Sequence, residues 1–339
     1  MNRRELLAGG LKMMAAATAA ATATATATAA AAAATATATA NAPAAAPAAT
    51  APAAAATRAV SADSPEKLIA RRIPSTGEEL PVIGLGTSGP FEVGTASAER
   101  VPLKDVLTAF FAAGARLVDT SPMYSTAEGV LGDLLTPQMH SQAFIATKVW
   151  TRGAQSGIEQ MTHSSQVMQH PRLDLIQVHN LLDLDTQLKT LRAWKEAGRV
   201  RYIGVTHYTV SSHEDLIRVI NREKLDFVQF NYSPLTRNAE QRLLPLAADK
   251  GVAVLVNRPF EDGALFDRVR GKPVPAWAAE FDCTSWGQVF LKYIAANPAV
   301  TCIIPATGKV GHLQDNLQGG RGRLPDTAQR ERIVAALSS

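Results

Sequence analysis

Cysteine is scarce: Cys283 and Cys302 are the only two in 339 residues. Two are too few for a disulfide framework, and Cys302 lies inside the apolar run Val300 to Ile304, where it reads as a small core residue. The sequence leaves open whether the two pair. Excess charge of either sign is also lacking. Lys and Arg number 34 against 30 Asp and Glu, a formal net charge of +4, and the basic residues are interleaved with acids. That pattern does not indicate nucleic-acid binding. The seven histidines form no metal-ligand cluster, neither cysteine has a nearby His or Cys partner, and no flavin or metal motif is evident. No Gly-x-Gly-x-x-Gly follows any apolar run; Gly84-Leu85-Gly86-Thr87 has two of the glycines, lacks the third and opens no obvious helix.

Residues 15 to 57 lack aromatic and large aliphatic side chains and are almost entirely Ala, Thr and Pro. Such a stretch cannot bury enough surface to offset the entropy of folding, so it is expected to be a stalk or a removed leader. Ahead of it, Asn2-Arg3-Arg4-Glu5-Leu6-Leu7 resembles a twin-arginine export signal, with Leu6 two residues after the arginine pair and many Ala-x-Ala sites downstream. Asn2 stands where Ser or Thr often precedes the pair. The resemblance implies the twin-arginine machinery as a partner and a periplasmic or exported location; the competing reading is an untargeted extension on a cytoplasmic protein. The segment after Gly10 contains Lys12 and is too weakly apolar to anchor in a membrane. This divides the chain into a leader, residues 1–57, and a folded part, residues 65–339.

What the folded part does contain is alternation. A short hairpin is expected from Ile73 to Pro74 and Leu80 to Ile83 around the turn Ser75-Thr76-Gly77-Glu78. Eight β-rich runs follow: Val82 to Leu85, Arg116 to Asp119, Phe144 to Lys148, Leu175 to His179, Tyr202 to Thr206, Phe227 to Asn231, Ala253 to Asn257 and Cys302 to Pro305. Between them lie stretches of helical period, such as Leu188, Leu191 and Trp194 ahead of the stop Gly198. Strands separated by helices pair in parallel, and eight such units predict an α/β fold, a (β/α)8 TIM barrel with an N-terminal β-hairpin, rather than an open doubly wound sheet.

Three of the runs end in ionisable residues, Asp119, Lys148 and His179, and Tyr124 lies five residues beyond Asp119. In a parallel barrel these four converge at the C-terminal face, where barrel enzymes place their chemistry. Asp119 to Glu128, Ala146-Thr147-Lys148, Gln177-Val178-His179, Ile203-Gly204-Val205-Thr206 and Gly84-Leu85-Gly86-Thr87 together resemble, in order and spacing, the strand ends of the aldo/keto reductase superfamily. The resemblance runs from Arg71 to the C-terminus, with Ser125 where glycine is usual.

That resemblance implies reversible NAD(P)H-dependent reduction of aldehydes or ketones. The chemistry requires a hydride on one side of the carbonyl and a proton delivered to its oxygen. Tyr124 is assigned as the acid in reduction and the base in reverse, Lys148 as the ammonium that favours its phenolate, Asp119 as the lysine's partner, and His179 as the group orienting the carbonyl. A nucleotide-binding regulatory or scaffold protein of the same fold is the alternative.

For the cofactor, the resemblance places the nicotinamide amide near Thr206, His207 and Gln229, and the phosphates and adenosine near Thr307, Lys309, His312, Asp315 and Asn316 at a helix start suited to an anion. Ala306 and His312 stand where many members have Lys and Arg, and Asn257 where many have a stacking Tyr. Arg258 is a candidate for the pyrophosphate or an acidic substrate, with a plain salt bridge at the barrel rim as the equal alternative. NADPH is favoured, with NADH as the alternative. Phe91, Met123 and Trp150 are expected to line an open substrate pocket, and a monomer is the expected state.

Overall fold

The computed structural model describes residues 67–338, so the leader and export-signal readings lie outside it. An antiparallel hairpin, β1 (Ala70–Arg72) and β2 (Glu79–Pro81), opens the described chain, with Arg71 opposite Leu80. Its strands lie a few residues from the expected ones because Ile73 already belongs to the turn, its N–H bonded to Glu78 O at 2.7 Å, while Val82 and Ile83 run on into the barrel.

Eight parallel strands follow: β3 (Leu85–Gly86), β4 (Leu117–Asp119), β5 (Phe144–Val149), β6 (Leu173–His179), β7 (Val200–Thr206), β8 (Phe227–Asn231), β9 (Ala253–Asn257) and β10 (Val300–Ile303). Each pairs in parallel with the next in sequence order, as crossover helices require, with one register shift between Val300 and Cys302 in β10. The ring closes where Gly84 N–H bonds Ile303 O at 2.8 Å, Ile303 N–H bonds Val82 O at 2.8 Å and Gly86 N–H bonds Pro305 O at 3.0 Å. This seam explains the glycine pair: a Cβ at Gly84 would stand 2.8 Å from Leu117 O, and one at Gly86 2.8 Å from Ile304 O.

Alternation along the strands sorts side chains by height as well as by face. Ile73, Leu80, Leu117, Phe144, Leu175, Tyr202, Phe227, Ala253 and Leu255 form one apolar cluster filling the barrel beneath the hairpin. Two residues further along β4 and β8, and four further along β5, β7 and β9, the same inward face carries Asp119, Gln229, Lys148, Thr206 and Asn257. The interior thus passes from hydrocarbon at the hairpin end to polar groups at the C-terminal end. Glu78 ties down the hairpin, accepting from Arg116 (3.2 Å), Arg201 and the Tyr202 hydroxyl (2.7 Å).

The helices pack on the outer faces. In Leu184–Glu196, Leu188, Leu191 and Trp194 are buried and Gly198 at φ +70° ends the turn, following the sequence pattern. Both cysteines are buried free thiols; burial pushes Cys283 up to about 12, and Cys302 upward too, which disfavours the thiolate of each.

Candidate active site

The polar end of the barrel is organised around Asp119. Its register neighbour on β5 is Ala146, so Lys148, one step higher on the same inward face, reaches back to it. Lys148 Nζ donates to Asp119 Oδ1 and to Thr120 O, each at 2.7 Å, and its side chain is fully buried. Burial works against its charge, but Asp119 and then Tyr124 outweigh that and raise its pKa, so the lysine is an ammonium. The other carboxylate oxygen accepts from Gln229 Nε2 at 2.9 Å and Gln177 Nε2 at 3.4 Å.

Tyr124 follows a tight turn, its N–H bonded to Ser121 O at 2.9 Å, that brings the ring back over the strand ends. Lys148 Nζ is 4.8 Å from the ring centroid, and the His179 ring meets it edge-on at 6.2 Å. The electrostatics differ from the expectation of a lowered phenol. Burial is the largest influence and raises it; the Lys148 ammonium pulls it down, Asp119 and Glu92 push it up again, and the net shift is upward. Tyr124 therefore holds its proton at neutral pH. His179 is held down to about 3 by burial, then by the Lys148 charge and His207, and is a neutral imidazole.

Asp119, Tyr124 and His179 line a cavity of about 660 Å³ at the barrel mouth, with Thr206, Gln229, Asn257, Arg258 and Met123. Lys148 lies behind them. Gln229 is already engaged: its oxygen accepts from the Thr206 hydroxyl (2.9 Å) and Asn257 Nδ2 (3.3 Å), continuing the network from Asp119 across to β9. Asn257 Oδ1 is buried with no hydrogen-bond partner among the described residues. Arg258, at φ +48°, pairs with Asp262 at 2.6 Å, and both line the cavity.

Several expected residues lie elsewhere. His207 folds back on its own loop: Nδ1 accepts from Tyr208 N–H at 3.0 Å, and Nε2 faces the Ser212 hydroxyl at 3.1 Å. Phe91 is in the core and Trp150, 41% exposed, is outside the cavity lining. The segment Ile304 to Ala306 lines the cavity; Thr307 and Lys309 come next, ahead of the helix Val310–Gln318 that carries His312, Asp315 and Asn316, and these five stand outside the cavity lining. Both Asp315 oxygens are taken, by Ser285 Oγ and Gln288 Nε2, each at 2.7 Å.

The cavity also has walls that sequence reasoning missed. Tyr208, Phe260 and Phe266 supply aromatic surface and Glu92 a carboxylate; Ser121 is outside the lining, its hydroxyl 3.2 Å from His179 Nδ1. Phe260 and Phe266 follow the seventh barrel strand, and Tyr208 lies two residues past Thr206, so position after a strand end was the available signal.

Comparison with known proteins agrees with this architecture. Residues 82–333 match the Aldo/keto reductase family. The chain is 26% identical over 242 residues to the NADH-specific methylglyoxal reductase of Escherichia coli K12, covering 61% of this chain and 73% of that protein. It is 27% identical over 247 residues to the glyoxal reductase of Bacillus subtilis, covering 71% and 83%. Among solved structures it superposes on an aldo-keto reductase from Klebsiella pneumoniae in complex with NADPH, with a TM-score of 0.65 and 23% identity over 79% of this chain and 95% of that one. The holo form of an aldo-keto reductase from Bacillus halodurans gives a TM-score of 0.65 at 19% identity, covering 79% and 96%. By the extent of the sequence match, and with the barrel to accompany it, the chain belongs to the aldo/keto reductase family.

Proposed function

We propose that this protein reduces small aldehydes and ketones to alcohols at the expense of NAD(P)H, with Tyr124 as proton donor. The observation that carries the reading is the placement of Tyr124, with the buried Lys148–Asp119 pair on one side (Lys148 Nζ 4.8 Å from its ring centroid) and the His179 ring edge-on at 6.2 Å, in the lining of a cavity. When bound, the reduced nicotinamide supplies the hydride. The chain's own groups do the rest: the cavity edge of His179 orients the carbonyl oxygen, Tyr124 gives it a proton, and the Lys148 ammonium stabilises the phenolate left behind.

The residues fit such a cofactor at the nicotinamide end, where Asn257 lines the cavity with a buried oxygen that has no partner among the described residues, and Thr206 and Gln229 lie beside it. Toward the nucleotide end, Thr307 and the exposed Lys309 stand at the start of a nine-residue helix whose N-cap makes no side-chain hydrogen bond, a setting suited to an anion. Lys309 is the residue favouring NADPH. The relatives named for methylglyoxal and glyoxal suggest small dicarbonyl compounds as first substrates to try.

The test is nucleotide oxidation by the purified protein with methylglyoxal and with glyoxal, using NADPH and NADH in parallel. Turnover with either nucleotide supports the reading, and NADPH is expected to be the better. Nucleotide binding without turnover on any aldehyde or ketone would refute it. Export by the leader is part of the proposal, with the nucleotide loaded before translocation. Arg3→Lys with Arg4→Lys is expected to leave the protein in the cytoplasm, and unchanged export would remove that part.

A further inference from the structure

Ser121 lies two residues beyond Asp119 and is 1% exposed. Its Oγ accepts the Met123 N–H at 3.2 Å and stands 3.2 Å from His179 Nδ1. Among the described residues, Nδ1 is the one hydrogen-bond partner able to take the hydroxyl proton. His179 itself is a neutral imidazole, so it carries a single ring proton, on either Nδ1 or Nε2.

We propose that Ser121 is a positioning residue: its hydroxyl donates to Nδ1 of His179 and thereby keeps the ring proton on Nε2, on the side of the ring that faces the cavity. The opposite tautomer would turn Nδ1 into a donor toward Ser121 and leave the buried hydroxyl proton with no acceptor among the described residues, which is unfavourable. It would also present a lone pair to the cavity, where a carbonyl oxygen needs a donor. The Ser121 bond thus converts a ring with two possible roles into a dedicated hydrogen-bond donor, and the turn that places Tyr124 also supplies this hydroxyl. The catalytic consequence rests on the carbonyl-reduction reading; the tautomer assignment does not.

The experiment is nitrogen NMR of the full chain with labelled histidine, comparing wild type, Ser121→Ala and Ser121→Thr, alongside methylglyoxal turnover and NADPH affinity. The wild-type His179 is expected as the Nε2–H tautomer. In Ser121→Ala the tautomer ratio should shift toward Nδ1–H by about fivefold, as expected for loss of one ordinary hydrogen bond. Turnover should drop with it while NADPH affinity stays constant, and Ser121→Thr should restore both ratio and turnover. An Nδ1–H tautomer in the wild type overturns the proposal without recourse to any variant, and so does an unchanged ratio in Ser121→Ala. Should the wild type show the Nε2–H tautomer but reduce no carbonyl, the functional reading fails and the Ser121 assignment stands.

Discussion

Lys148 Nζ and Asp119 Oδ1 lie 2.7 Å apart, with the two side chains 0% and 3% exposed. An ion pair this deep depends on both members, because removing one leaves the other charge buried without compensation. Lys148→Met and Asp119→Leu are each expected to lower the unfolding free energy by about 3–5 kcal/mol. The double variant, which removes both charges, should be less destabilised than the sum of the two. Chemical denaturation of the four proteins in a double-mutant cycle measures this; strict additivity would mean that the two charges do not interact.

Burial raises the Tyr124 phenol, and Lys148 offsets only part of that rise. A raised pKa keeps the group protonated through neutral pH, so carbonyl reduction, which needs the phenol, should hold its rate until the pH exceeds about 10, the ordinary tyrosine value. Alcohol oxidation needs the phenolate and should rise with pH through the same titration. Glu92 contributes to the upward push, so Glu92→Gln should bring the onset of alcohol oxidation to lower pH. Rate profiles in the two directions read this out. A reduction rate already falling by neutral pH would mean that the phenol is lowered rather than raised.

Ser125, exposed and directly after Tyr124, adopts φ +46°, a region that glycine enters without strain. Ser125→Gly should relieve the strain, less the greater entropy glycine loses on folding, for a net stabilisation of up to about 1 kcal/mol and a Tm increase of about 2–4 °C. A thermal melt showing a lower Tm would indicate that the serine conformation is unstrained.

The barrel was legible in the sequence because each strand is a short apolar run ended by a residue of different chemistry, and all eight runs correspond to strands β3 to β10. Hairpin boundaries were not, since Ile73 and Leu80 are equally apolar in a turn, a strand or a barrel floor. Within the site, Asp119 and Lys148 could be paired from sequence because both end adjacent strands. The partners of His207 and Asp315 could not be read from sequence: the Ser212 hydroxyl faces His207 on its own loop, and Ser285 with Gln288 take both Asp315 oxygens. The direction of the Tyr124 shift was misjudged for a similar reason. Proximity to a lysine is visible in a motif, whereas the burial that outweighs it is a property of the assembled barrel mouth.

The most direct test of the account is Tyr124→Phe, which removes the phenolic proton and keeps the ring. NADPH titration and methylglyoxal turnover measured on the same preparation separate binding from proton transfer. The expected result is unchanged NADPH affinity with kcat lower by about 10² to 10⁴. Wild-type turnover in the phenylalanine variant would contradict the assignment of Tyr124 as the acid.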